Sequence, residues 1–290
     1  MLYSMTGYGK STFKLGAKSY VIEIKSLNSK SLDLNFKVAA ELRGKEIEIR
    51  KQIADQLIRG KVDIFFQEDK STNGNTNLNF NLIESYYQQL QQFTTEKNIP
   101  LGDILPAILR FQDINKTELT ELNDADVEAL LMGMDNALKE VNKFRQKEGA
   151  QLERDLQERI NIIQQHKIAL LPFEQQRMEK LRSRLMQDLK INLLENIIDK
   201  NRFEEELIYY MEKMDINEEK VRLDAHILYF FEILNEQNKE KGKKLGFVAQ
   251  EIGREINTIG SKSNDANMQK IVVQMKDELE KIKEQVLNIL

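Results

Sequence analysis

The sequence contains no cysteine and no tryptophan, and only 2 His and 3 Pro in 290 residues. Each shortage closes off a class of chemistry. Without Cys there is no disulfide framework, no thiolate-ligated zinc, no iron–sulfur cluster and no thiol nucleophile. Two His are too few for a His-rich zinc site, although one imidazole with carboxylates can still hold a metal. No run approaches the roughly 18–20 consecutive apolar residues that a membrane span requires. The first ten residues lack the basic region and apolar core of a secretory leader. A cytoplasmic chain with no membrane partner is therefore expected. With 41% hydrophobic and 31% charged residues, the composition suits a globular chain of one large domain or two ordinary ones.

The formal net charge of −4 says nothing in favour of a nucleic-acid partner, but it hides an asymmetry. Residues 1–70 hold 13 Lys+Arg against 9 Asp+Glu, and the remainder holds 30 against 38. A mildly basic N-terminal unit is joined to an acidic one. Solvated surface accounts for a difference of this size on its own.

Period-two alternation over 19–25 and 31–38, rich in β-branched and aromatic residues, predicts two strands. Asn28, Ser29 and Lys30 between them form a polar link of hairpin length. Leu42 to Arg59 reads as a helix with Ile47, Ile53, Leu57 and Ile58 on a face, and Gly60 stands where an αL cap is expected. Residues 61–67 return to strand. This order predicts an α+β fold: a small antiparallel sheet with a packed helix, followed by a predominantly long-helix region. The polar stretch 71–77 reads as a loop or turn. From Leu82 onward the pattern is helical, interrupted only by Pro100, Pro106 and Pro172. Leu152, Leu156, Ile160 and Ile163 form one stripe. Val272, Met275, Leu279, Ile282, Val286 and Ile289 form another with heptad spacing, which implies core packing or a subunit contact.

The segment 246–265 carries the most chemistry. Val248, Ile252, Ile256 and Ile259 define an apolar face, and Glu251, Arg254, Glu255 and Thr258 share a separate one. Two carboxylates one turn apart repel, and become useful when a cation bridges them or when one tunes the other as a base. A solvated face with Arg254 as compensator is the plain alternative. Gly260, Ser261, Lys262 and Ser263 precede a further helix and suit anion binding at its N-terminus, or simply an N-cap at Ser263 or Asn264. No strand precedes this loop, so it is not a Walker A motif. In a second cluster, Arg222 and His226 stand one turn apart beside the stripe of Leu223, Ile227, Phe230 and Leu234. Such a pair suits phosphodiester chemistry, with a proton carrier near neutral pKa and a cation for the phosphate. A lone His beside a core stripe is as readily structural. His166 lies on the polar side of a long helix. Near the N-terminus, Asn28, Ser29, Lys30, Arg59, Lys61 and the opening Ser4 to Gly9 would suit phosphate and base contacts.

Together these segments resemble the YicC family of bacterial endoribonucleases. The resemblance rests on Ser4 to Gly9, Glu23 to Asp33, Arg59 to Val62, Arg145 to Leu152, Arg222 to His226, and Gln250 through Asn257 to Asp265. Residues 70–140 and 165–215 match in helical character alone. Lys25 and Lys30 stand where the family pattern has Arg, which keeps the charge but loses the bidentate fork. The resemblance implies a divalent-metal-dependent endoribonuclease acting on RNA as a homo-hexameric clamp. It divides the chain into an N-terminal domain 1–157, connecting helices 158–205 and a C-terminal helical domain 206–290. The catalytic set expected is His226, Glu251, Glu255, Arg222, Arg254 and Lys262, with Glu251, Glu255 and Asp265 as metal ligands. RNA contacts are expected at Asn28, Lys30, Arg59, Lys61, Asn257, Ser261 and Ser263. The absence of Cys favours Mg²⁺ or Mn²⁺ over Zn²⁺. The alternative from another class is an oligomeric RNA-binding adaptor without its own cleavage activity. A third reading is a helical assembly driven by the heptad stripe.

Overall fold

A computed structural model describes residues 1–16, 18–37, 44–69, 78–100, 102–111, 123–192 and 200–290, without the side chains of 188–192 and 200–202. The expected loop at 71–77 and the expected helix start at Leu42 lie outside the described residues. In order, the elements are β1 (Gly7–Leu15), β2 (Lys18–Leu27), β3 (Leu32–Lys37), α1 (Glu46–Gln56), β4 (Gly60–Glu68), α2 (Phe80–Glu96), α3 (Leu105–Ile108), α4 (Asp124–Ala169), α5 (Leu171–Asn192), α6 (Lys200–Met214), α7 (Asn217–Asn235), α8 (Gly242–Lys262) and α9 (Ala266–Val286). The class is α+β, as the alternation and the helical stripes require.

The four strands run in the order β1-β2-β4-β3. β1 pairs with β2 antiparallel, β2 with β4 antiparallel, and β3 with β4 parallel. The sheet is therefore mixed, and Asn28–Lys30 is not a hairpin turn. β4 lies between β2 and β3, because α1 carries the chain back so that β4 enters beside β3 in the same direction. The hairpin joins β1 to β2 instead. β1 escaped the alternation rule because Gly7 and Gly9 occupy inward positions where apolar side chains would mark a strand. They are small for a physical reason: a Cβ on Gly9 would stand 2.2 Å from the Ala137 carbonyl oxygen of α4.

α4 spans 46 residues, on the order of 70 Å, and carries two cores. Its first half packs Leu130, Met134, Ala137, Leu138 and Val141 against the sheet and against Ile49, Ile53 and Leu57. Its second half packs Leu156, Ile160 and Ile163 against α7, α8 and α9. In α1 the inward residues are Ile49 and Ile53, whereas Ile47 and Ile58 are exposed. Gly60 does not cap this helix. It opens β4 with φ +134°, a conformation L side chains avoid.

The heptad stripe of α9 is buried within the chain in the second core. It packs antiparallel to α8, where Cβ atoms on Gly253 and Gly260 would stand 3.1 Å from Leu279 Cδ2 and 3.0 Å from Val272 Cγ1. Core packing, not a subunit contact, explains the stripe. The two ends of the chain meet beside α4. Ser4 bridges to Ile289, the Met5 N–H donates to Asn288 O at 2.8 Å, and the Leu290 N–H donates to Tyr3 O at 3.0 Å. Among the described residues, no helix is long and apolar enough to cross a membrane.

Candidate functional site

α7 and α8 form an antiparallel helical pair, and their facing sides gather most of the expected catalytic residues. At 100° per residue, the flank of α8 beside its apolar stripe presents Glu251, Glu255, Thr258 and Lys262. On α7 the flank beside Leu223, Ile227 and Phe230 presents Glu219 and His226. Lys262 Nζ donates to Glu219 Oε1 at 2.7 Å, and this bond sets the register. Following the antiparallel pair from that bond brings His226 to the level of Glu255, to within about one turn. The segments 222–226 and 250–262, separate in sequence, thus share one seam.

Within that seam the groups differ in how they are satisfied. Glu219 is 5% exposed, and its Oε2 is buried without a hydrogen-bond partner. Glu255 is 8% exposed, and among the described residues its carboxylate has neither hydrogen bond nor ion pair. Unlike Glu219 Oε2, the Glu255 oxygens are not sealed from solvent, so a cation or proton donor can reach them. His226 is half-buried. Along the rim, Arg254 Nη1 pairs with Glu251 at 2.8 Å and Arg222 Nη2 pairs with Glu218 at 2.5 Å, all four well exposed. Such pairs contribute only about 0–1 kcal/mol, so either arginine is readily drawn to a phosphate. Sequence reasoning passed over Glu219. Its position seven residues before His226, on the same face of α7, was the signal that marked it.

The loop between α8 and α9 has a different character. Ser263, 1% exposed, turns inward, and its hydroxyl donates to Ile259 O at 2.6 Å. Gln269 Nε2 donates to Gly260 O at 2.6 Å and Ser263 O at 2.7 Å. Arg177 donates to Lys262 O and Met214 O, and burial pushes its guanidinium down from its ordinary value. These bonds satisfy carbonyls at the end of α8. The cap of α9 is Asp265, not Ser263 or Asn264. Asp265 Oδ1 accepts from the Asn267 and Met268 N–H groups at 2.9 and 3.2 Å, and its Oδ2 lies 3.6 Å from Lys180 Nζ. The Met268 bond leads the causes that hold its carboxyl below the usual range. Asp265 is thus engaged away from the carboxylates of α8. Among the described residues, no three His, Asp or Glu side chains converge as metal ligands. Ser261, Asn257 and Asn264 remain exposed on this surface, with the Ser261 hydroxyl on Thr258 O at 2.9 Å.

At the far end of the molecule, the N-terminal cluster is held by the chain's last residues. Asn28 Nδ2 donates to Leu287 O at 2.6 Å, and Arg59 Nη2 donates to Ile289 O at 2.7 Å. Behind them Arg145, 1% exposed, donates to Met5 O at 3.1 Å and Ser26 Oγ at 2.5 Å. Desolvation lowers its guanidinium to about 10. Ser4 is buried, sharing a hydrogen bond with Thr6 at 2.8 Å, and Thr6 donates to Glu148 at 2.6 Å. Ser4, Thr6, Asn28 and Arg59 therefore hold the structure together. Lys30 and Lys61 are the exposed cations of this cluster without a carboxylate partner among the described residues.

The geometry can be set beside known proteins. A family described as endoribonuclease YicC-like, N-terminal region, matches residues 2–154. A second, endoribonuclease YicC-like, C-terminal, matches residues 171–290. A probable endoribonuclease YicC of Clostridioides difficile (strain 630) is 32% identical over 296 aligned residues, covering 100% of both chains. A probable endoribonuclease YicC of Haemophilus influenzae (strain ATCC 51907 / DSM 11121 / KW20 / Rd) is 30% identical over 295, again covering 100% of both.

Proposed function

The chain belongs to the YicC-like endoribonuclease family, and from that premise we propose that it cleaves RNA phosphodiester bonds at the α7–α8 seam. One observation carries this reading: Glu255, largely enclosed and without a partner among the described residues, shares that seam with His226 and Lys262. A carboxylate or imidazole there accepts the proton of the attacking oxygen. Arg222 and Arg254, released from exposed ion pairs, bind the phosphate, and Lys262 stabilises charge developing on its oxygens. Asn257, Ser261 and Lys30 and Lys61 extend RNA contacts outside the reacting centre. Ser263, Asn28 and Arg59 are already bonded within the chain, so their part is to shape the surface.

Glu251 and Glu255 fit a divalent cation of the Mg²⁺ or Mn²⁺ kind, which takes one or two carboxylates and completes its sphere with water and substrate oxygens. Asp265 does not fit, because its carboxylate caps α9. When bound, such an ion supplies Lewis-acid stabilisation of the phosphate. The attacking group is either water or the ribose 2′-OH. A 2′,3′-cyclic phosphate at the product end identifies the latter, and its absence through the time course identifies water. Self-association as a homo-hexamer belongs to the same proposal. It is supported by Val221 and Leu228, one heptad apart on α7 and 68% and 63% exposed, and is checked by sedimentation of the purified chain.

The deciding experiment is cleavage of RNA by the purified protein with and without EDTA, and by Glu251→Gln, Glu255→Gln and His226→Ala. All three variants cutting at the wild-type rate would falsify the assignment of the seam. Retained RNA binding with no cleavage under any metal would instead favour an adaptor that delivers RNA to a separate nuclease.

A further inference from the structure

The helices that pack against the sheet, α1 and α4, lie on one of its faces. Phe13, Tyr20, Ile22, Ile24, Val62, Ile64 and Phe66 point into the core beneath α1 and α4. The alternate residues point outward, and among the described residues no element packs over them. Pairing register lays them out in rows across the strands. Tyr8, Lys25, Asp63 and Asn35 form one row, and Lys10, Glu23, Phe65 and Lys37 form the next. Leu27, Lys61 and Asp33 extend the face toward the seat of the C-terminal residues. The face thus carries Lys10, Lys14, Lys25, Lys37 and Lys61 against Glu23, Asp33 and Asp63.

Its acids are partly occupied. Glu23 lies 3.7 Å from Lys10 Nζ, and Asp63 accepts from Asn35 Nδ2 at 2.8 Å. Among the described residues Lys14, Lys25, Lys37 and Lys61 make no ion pair. Two of these free ammoniums flank one aromatic ring: Lys25 Nζ lies 5.4 Å and Lys37 Nζ 5.2 Å from the Phe65 centroid. Tyr8, 40% exposed, stands two strands and one row away, on the order of 12 Å. A flat sheet with separated rings, each beside free lysines, matches single-stranded nucleic acid, whose unstacked bases need ring faces and whose phosphates need cations. An acidic protein would neutralise the lysines but gains nothing specific from the flanked rings. The helical stacking of a duplex leaves its bases unavailable to them.

We propose that the open face of the sheet is a platform for single-stranded RNA, with Phe65 and Tyr8 as stacking surfaces and Lys25, Lys37 and Lys61 as phosphate contacts. The inference rests on RNA being the substrate, and it extends the RNA path well beyond the α7–α8 seam. Tyr8 falls in the opening segment whose contacts were expected from the sequence; Phe65 does not.

The test is fluorescence anisotropy of the full chain with a fluorescein-labelled 12-nucleotide single-stranded oligoribonucleotide in EDTA, repeated over a range of KCl. The paired substitution Lys25→Gln with Lys37→Gln is expected to weaken binding about tenfold and to flatten the log–log salt slope by about 1.4, since each neutralised phosphate of a single strand contributes about 0.7. Phe65→Leu keeps the apolar volume and the fold; it is expected to weaken binding about tenfold with the salt slope unchanged. Circular dichroism melts of each variant confirm the fold. Wild-type affinity and salt slope in the lysine pair overturn the proposal, and so does wild-type affinity in Phe65→Leu. If the lysine pair loses affinity for oligoglutamate but not for RNA, the face docks an acidic protein and the proposal also fails. Failure here is distinguishable from failure at the seam. A chain that binds RNA through the sheet but never cleaves it sinks the nuclease reading alone. A chain that cleaves while its sheet variants bind normally sinks the platform alone.

Discussion

Two polar clusters drawn from the same residue types meet opposite fates in this molecule. At the end of the sheet, Arg59, Asn28 and the buried Arg145 direct their donors at main-chain carbonyls of Ile289, Leu287 and Met5. Along the α7–α8 seam, one oxygen of Glu219 is buried without a donor, and the largely enclosed Glu255 has neither hydrogen bond nor ion pair among the described residues. In the first place each arginine reaches main-chain carbonyls that folding brought there, although the Nε atoms of Arg59 and Arg145 stay buried without an acceptor among the described residues. In the second, carboxylate oxygens have no donor among the described residues. The difference teaches that residue type and spacing nominate a site, while the partners its charged groups find within the chain separate a fastening from a place where chemistry can occur.

The largest test of that contrast is at the seam. Glu255→Gln is expected to slow RNA cleavage by roughly 10²–10⁴-fold, as loss of a general base does. It should leave the urea midpoint near wild type, since no internal partner is lost; a large stability loss with unchanged cleavage would reverse the roles of the two clusters. Next comes Gly149→Ala, whose Cβ would meet the Leu2 carbonyl oxygen at 2.1 Å. Forcing α4 off the opening segment should destabilise by about 3 kcal/mol, read as a lower urea midpoint. Arg145→Met is expected to lose about 2 kcal/mol by the same measurement, because Met5 O and Ser26 Oγ lose a buried donor, which outweighs relief from desolvating a charge. Smaller still, Arg59→Ala should reduce stability by about 1 kcal/mol through the Ile289 carbonyl. A tenfold loss of RNA affinity at unchanged stability would return Arg59 to the RNA surface.

The smallest effect is expected at the α9 cap. Asp265→Ala should cost about 1 kcal/mol near neutral pH. The carboxyl of Asp265 is lowered in the folded chain by the Met268 N–H, so its contribution is present above the ordinary aspartate pKa. It is lost as pH falls through the lower folded value. Glu278, lowered chiefly by Lys281 and also by Arg159, follows the same sign. The gap between wild type and Asp265→Ala should therefore close on acidification; a gap that widened below pH 4 would contradict the cap.

Much of this molecule was legible in the chain because local periodicity and burial agree. The stripes of α4 and α9, the alternation of β2 and the face of α8 all point at the cores where they lie. β1 was not legible, since Gly7 and Gly9 answer to side chains and backbone of a helix more than a hundred residues away. The parallel partnership of β3 with β4 was equally hidden, because short-range turn chemistry does not reveal which strand a crossover will deliver as neighbour. At the site, the pairing of 222–226 with 250–262 required the α7–α8 register that Lys262 and Glu219 set.

By itself, then, the sequence determined the inventory: no thiol chemistry, one candidate imidazole, paired carboxylates at helical spacing and the faces that must be buried. Those follow from composition and from period, which are local properties. The tertiary structure alone decided the use of that inventory. It turned Asn28, Arg59 and Asp265 to main-chain groups, left Glu255 without a partner among the described residues, and opened one face of the sheet around Phe65. Hydrogen-bond satisfaction depends on partners distant in sequence, and only the closed fold brings those partners within reach.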